Sequence, residues 1–431
     1  MMRRTLWVVW AVLAVAAAGA GNWHLVETLD FLVLSRDPAL ALSVGEKAEE
    51  IWTRVSGYWV PLLTPLRTLP EEEELYGAAI PKDFILVYTD PEEYWRHTGR
   101  YGSYGITTAF GYSLVPPGDL LAKLQRSEDP TVQVSLFHGA WVFLPCGEGG
   151  CDAALAHELV HLLGLHLGCE WEAPSELGPI VREGMATWTE FALGYRDDFD
   201  LRVRQPVACW LKGGGELERI PWMLRYEVGA SLVERLVREV GSPAAALALF
   251  CPGVREYLGY PTDAAPAAVL RDIAGLTWEG FLGRWRTELL GLRVTPAGEL
   301  IHRFYMRNVE LRAAFLRPLL APDVRRELER LGERIMAGEG TEADLARAEA
   351  ILGDAWAEPT PGILDAIRAR MEPLRRLARE ISGSEGMLAV YKLSIALATD
   401  KCAPEECVRS FVALVNRYLA GTSPCPRAGK W

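Results

Sequence analysis

Three of the chain's seven histidines fall within ten positions, at His157, His161 and His166. The stretch Leu155-Ala156-His157-Glu158-Leu159-Val160-His161-Leu162-Leu163 reads H-E-x-x-H inside an otherwise apolar helix. Imidazoles four residues apart share one helix face about a turn apart, so both rings can reach a single ion. Glu158 lies about 100° round from His157. That sets its carboxylate beside such an ion rather than on it, where it can take a proton from a bound water. Burying two imidazoles and a carboxylate without partners is costly, which favours one Zn2+ per chain over an accident of core packing.

Zinc needs a third protein ligand, and two residues compete for the place. His166 approximates the pattern H-E-x-x-H-x-x-G-x-x-H, with Gly164 in position. It arrives one residue early, and on a continuing helix it points far round from the metal face. Glu183, in Val181-Arg182-Glu183-Gly184-Met185-Ala186-Thr187-Trp188-Thr189-Glu190, can be delivered by a second helix packed against the first. That arrangement leaves a fourth coordination position for water. A cysteine zinc site is the weaker reading, because no Cys-x-x-Cys spacing occurs.

In these motifs the chain resembles the gluzincins, the metallopeptidase group that includes the zinc aminopeptidases. There H-E-x-x-H is followed by a helix reading E-G-x-A-x-[YW]-x-E, whose first Glu binds zinc. The resemblance implies His157, His161 and Glu183 as metal ligands and Glu158 as general base. Glu190 corresponds to the closing Glu of that helix and is expected to hydrogen-bond a ligand histidine. Tyr226, opening Tyr226-Glu227-Val228-Gly229-Ala230, corresponds to the tyrosine whose hydroxyl supports the oxyanion. The resemblance spans about Asp83 to Leu290 and departs from the aminopeptidases in two ways. The gap from His161 to Glu183 is a few residues longer, with Cys169 and Pro174 inside it, as an inserted loop pinned by a disulfide would be. The G-x-M-E-N segment that holds a free α-amine is absent, so strict aminopeptidase action is unsupported. Trp141, Val142 and Phe143 are expected instead on an edge strand that pairs with an extended substrate.

The elements that must position these residues are partly visible. Apolar positions recur at helical spacing from Pro38 to Pro61. Phe84 to Tyr88, Val132 to Leu136 and Trp141 to Leu144 read as strands, with a short helix from Pro91 to His97. After Cys151 the pattern is helical: Asp152 to Leu165, Ile180 to Leu193, Tyr226 to Val240 and Trp278 to Leu290. Thr295-Pro296-Ala297-Gly298 reads as a linker. Beyond it, helical periodicity is broken at Gly338-Glu339-Gly340 and Pro359-Thr360-Pro361. The fold class expected is α+β: a mixed α/β lobe with an edge strand (21–150), a mainly helical zinc-binding lobe (151–295) and a helical C-terminal domain (296–431).

The whole chain has 431 residues, half of them apolar, which excludes wholesale disorder. Fifty-seven acids against 45 bases give a net charge of −12, a surface that repels phosphate backbones and makes nucleic acid a poor partner. Residues 1–20 read as a signal peptide, the small residues Ala18-Gly19-Ala20 preceding the cut. Alternatively, residues 5–23 stay attached as a membrane anchor. Either reading makes the protein extracytoplasmic, where its eight cysteines can form disulfides. Cys146/Cys151 and Cys402/Cys407 are the nearest local pairs. The function expected is a zinc metallopeptidase acting on a peptide or protein substrate. The rival expectations are a zinc hydrolase of non-peptide bonds and a catalytically silent cell-envelope binding protein.

Overall fold

The computed structural model describes residues 23–61, 82–90, 93–94, 105–110, 139–146, 151–169, 178–307, 309, 313 and 320–357. The signal or anchor segment, the strand expected at Val132 to Leu136, most of the helix expected at Pro91 to His97, and Cys402/Cys407 lie outside them. No helix among the described residues is long and apolar enough to cross a membrane.

Strands β1 (His24–Glu27), β2 (Phe31–Ser35), β3 (Asp83–Tyr88), β4 (Ile106–Phe110) and β5 (Gly139–Pro145) form one mixed sheet in the order β1-β2-β3-β5-β4. β2, β3 and β5 run parallel, while β1 and β4 pair antiparallel at the two ends. Among the described strands the edge beside the helical lobe is therefore β4. This corrects the expectation for Trp141, Val142 and Phe143, which sit on β5 with β3 on one side and β4 on the other. Phe84 pairs with Trp141, and Thr107 pairs with Val142. Val142 and Phe143 are buried core residues. β5 is a continuous apolar run because an interior parallel strand is covered on both faces, and that run cannot be told from an exposed edge by pattern alone.

Helix α1 (Pro38–Trp59) starts where the Asp37 carboxylate accepts from Ala39 N at 2.9 Å, with Pro38 in the first turn. Its apolar stripe, from Ala41 and Val44 to Val55 and Trp59, lies on β1, β2 and β3. Helix α2 (Asp152–His166) packs against β5 and β4 and touches α1. The H-E-x-x-H turn thus lies directly behind the sheet edge.

Helix α3 (Gly178–Ala192) packs on α2 and is pinned to α1 by two indoles: Trp59 Nε1 donates to Thr189 Oγ1 at 2.8 Å, and Trp188 Nε1 donates to Tyr58 OH at 2.9 Å. After α4 (Gln205–Lys212), helix α5 (Arg225–Val240) crosses α3 in backbone contact. A Cβ built on Gly184 would meet the Gly229 carbonyl carbon at 2.1 Å, and one on Gly229 would meet the Ile180 oxygen at 2.2 Å. Short helices α6 (Pro243–Ala248), α7 (Pro252–Tyr257) and α8 (Pro266–Ala274) lead to α9 (Trp278–Gly291). The indole of α9's Trp285 donates to Ser231 Oγ on α5 at 3.1 Å.

Two disulfides between described residues fit an oxidising compartment. Cys146–Cys151 spans the turn from β5 into α2. Cys169–Cys251 ties the segment after α2 to the start of α7, at the loop where the sequence anticipated pinning. Cys209 is also disulfide-bonded.

The segment read as a linker is a helix start. Thr295 caps α10 (Pro296–Met306), and the Gln205 side-chain oxygen accepts from Thr295 N at 2.9 Å and from Thr295 Oγ1 at 2.7 Å. Thr-Pro-x-Gly suits an N-cap followed by proline as well as it suits a loop, and only the partner on α4 distinguishes them. Helices α11 (Pro322–Met336) and α12 (Glu342–Ala357) follow, the latter after the predicted break at Gly338 to Gly340.

His302 of α10 is 5% exposed and its ring is hydrogen-bonded to the Pro206 backbone. Burial pulls its pKa down to about 4 from an ordinary 6.5. A histidine with a depressed folded pKa stays neutral in the core, so its full stability is present above 6.5 and is lost as pH falls towards 4. The loss expected is on the order of 3 kcal/mol at full protonation. In acid-unfolding curves, His302→Gln should be less sensitive than wild type across that window. Identical curves would show that this histidine does not govern the acid limb.

Candidate metal centre

Helices α2 and α3 bring three ligand atoms together. Glu183 Oε2 lies 3.4 Å from His157 Nε2 and 3.2 Å from His161 Nε2, and the three donor atoms lie within 4.8 Å of one another. Ligand atoms at zinc-bond length on a tetrahedron stand about 3.4 Å apart. The donor set therefore fits one small divalent cation, and the three residues can hold a metal ion. Two of these residues come from one helix by i, i+4 spacing, and the third depends on how closely α3 approaches.

That approach is set by glycine. Gly184 follows Glu183, and its contact with Gly229 brings α3 against α5, which carries Tyr226. The Tyr226 ring lies 5.9 Å from the His157 ring, and the two ligand imidazoles stand edge to face at 4.9 Å.

Hydrogen bonds behind the ligands orient them. His157 Nδ1 lies 2.7 Å from Glu190 Oε1. In the neutral ring this contact keeps the hydrogen on Nδ1 and leaves the Nε2 lone pair for the metal. Glu190 is 1% exposed, and its other oxygen lies 2.5 Å from Arg196 Nε. Arg182 Nη2 donates to Glu183 Oε1 at 3.0 Å, leaving Oε2 for the two histidines.

Electrostatics follow from this crowding. Burial alone would lower the His157 pKa, but hydrogen bonds to Glu183 and Glu190 outweigh it and push it up to about 10. Burial likewise disfavours ionised Glu183, yet the two histidines hold its carboxyl well below the usual range. Metal uptake must then displace a proton from His157. Glu158, 5% exposed, is raised by burial, an effect the histidine charges and the Thr107 hydrogen bond oppose. Burial and the Glu183 and Glu158 charges raise Tyr226, leaving it a neutral phenol that can donate.

The structure thus gathers His157, His161, Glu158, Glu183, Glu190 and Tyr226 in one place. His166 is directed elsewhere: its Nε2 lies 2.7 Å from Asp83 Oδ2 at the start of β3. Trp141, Val142 and Phe143 do not line the sheet edge at this site. Sequence reasoning missed Gly105, Thr107 and Arg196. Only glycine in the interiors of α3 and α5 carried a readable signal, because each costs helix stability unless a neighbouring backbone needs the room.

No family model, curated protein or solved structure matches the chain.

Proposed function

We propose that this chain is an exported zinc metallopeptidase that hydrolyses peptide bonds, with His157, His161 and Glu183 holding one Zn2+. The observation that carries the reading is the convergence of the His157 and His161 nitrogens on a single Glu183 oxygen, with the buried Glu158 carboxylate on the residue after His157. When bound, zinc supplies a Lewis acid that brings the pKa of a water at its open position towards about 7.

The chain's own groups do the rest. Glu158 accepts the proton as the water oxygen attacks the peptide carbonyl, then returns it to the leaving nitrogen. The Tyr226 hydroxyl donates to the developing oxyanion. Glu190 keeps the His157 ring in its liganding tautomer. Strand β4, at the end of the sheet among the described strands, offers its outer edge to an extended peptide backbone.

A broad peptide-library digest with the purified protein tests this reading, read by mass spectrometry with and without a chelator. Cleavage at internal bonds that stops on chelation is expected. Full zinc occupancy with no peptide cut would overturn the peptidase assignment, and turnover confined to ester or glycan polymers would move it to another hydrolase class.

A further inference from the structure

The edge strand touches the proposed general base directly. Thr107 Oγ1 on β4 lies 2.7 Å from Glu158 Oε2 and 3.0 Å from the Glu158 carbonyl oxygen. Gly105, the residue just before β4, leaves the space the carboxyl fills. A Cβ there would stand 2.5 Å from Glu158 Oε1 and 2.6 Å from its Cγ. The chain therefore makes room for the carboxyl just before β4 and supplies a hydroxyl two residues on. Pairing of Thr107 with Val142 fixes β4 to the rigid centre of the sheet.

We propose, resting on the peptidase reading above, that Thr107 is the positioning residue for Glu158. Its hydroxyl holds the carboxyl group in one orientation against β4. The hydroxyl has one hydrogen and two acceptors within reach. It donates to the carboxylate before proton transfer. Once Glu158 carries the proton on its other oxygen, the hydroxyl still donates to Oε2, which stays an acceptor. Each state of the base keeps a partner, and no atom is gained or lost. The strand proposed to bind substrate is then also the strand that aims the base, so Thr107 acts on turnover rather than on affinity.

The test compares wild type, Thr107→Val, Thr107→Ser and Glu158→Gln, using a fluorogenic peptide drawn from the digest and zinc content as a second readout. A hydrogen bond to a charged group is worth about 10- to 100-fold. Thr107→Val, which keeps the shape and removes the hydroxyl, should lower kcat by about that factor, with KM and zinc content unchanged. Thr107→Ser should recover most of the rate. Wild-type kcat in Thr107→Val overturns the proposal, as does loss of zinc in that variant or a Thr107→Ser enzyme no better than the valine one. A wild-type protein that cuts no peptide overturns the peptidase reading itself and takes this proposal with it.

Discussion

Replacing Glu158 by Gln should lower peptide hydrolysis by about a thousandfold or more while one zinc per chain stays bound. The amide keeps the volume of the carboxylate in the slot beside Gly105 and still offers an oxygen to the Thr107 hydroxyl. It cannot accept a proton from water. The ligand atoms of His157, His161 and Glu183 lie on other side chains, so the donor set is untouched. Glutamine also removes a buried negative charge whose ionised form burial already disfavours, so folding stability should not fall. Rate assays paired with zinc analysis on the same sample give the answer. Turnover within tenfold of wild type would remove Glu158 from the proton path.

The second large effect is expected from a single methyl on the residue that follows Glu183. Gly184→Ala places a carbon 2.1 Å from the Gly229 carbonyl carbon, where non-bonded carbons need about 3.5 Å. Both partners are backbone in helix interiors, so no side chain can swing aside and α3 must move from α5 by more than about an ångström. Overpacking of this kind costs on the order of 3 kcal/mol. The displacement acts on the residue that follows Glu183, so the carboxylate should leave the histidine pair and zinc affinity should fall with stability. Gly57→Ala in α1 is the control: a Cβ there meets nothing within 4 Å, and the change should stabilise by about 0.5–1 kcal/mol. Thermal melts with and without zinc compare the two variants. A Gly184→Ala protein that melts like wild type and keeps its metal affinity would show that the helix crossing does not set the site.

What the sequence disclosed divides along a physical line. His157, Glu158 and His161 are legible because one helix sets their spacing, and local geometry is enough to place them. Glu183 was one of two competing candidates and Tyr226 came only from a resemblance, since the distance between helices is not written in either helix. The glycines that set this distance were quoted inside both motifs, yet their role emerges only when α3 and α5 are seen in contact.

The edge of the sheet was misread for a related reason. β4 precedes β5 in the chain, but β5 pairs in parallel with β3 and leaves β4 outermost among the described strands. Nothing local in Trp141 to Leu144 separates an interior strand from an edge. Thr107 was invisible for the same cause, because its partner is 51 residues away on another element. β1 and β2 went unread because Phe31-Leu32-Val33-Leu34 is too short an apolar run to assign by period.

The account stands or falls on Glu183 completing a metal site with the two histidines. Zinc titration of wild type and of Glu183→Ala, followed by calorimetry and by X-ray absorption at the zinc edge, addresses that directly. One zinc per wild-type chain is predicted, bound through two nitrogen ligands and carboxylate oxygen, with affinity falling at least about 100-fold when the carboxylate is removed. Equal affinity in the two proteins, or a wild-type chain that takes up no zinc, would contradict it.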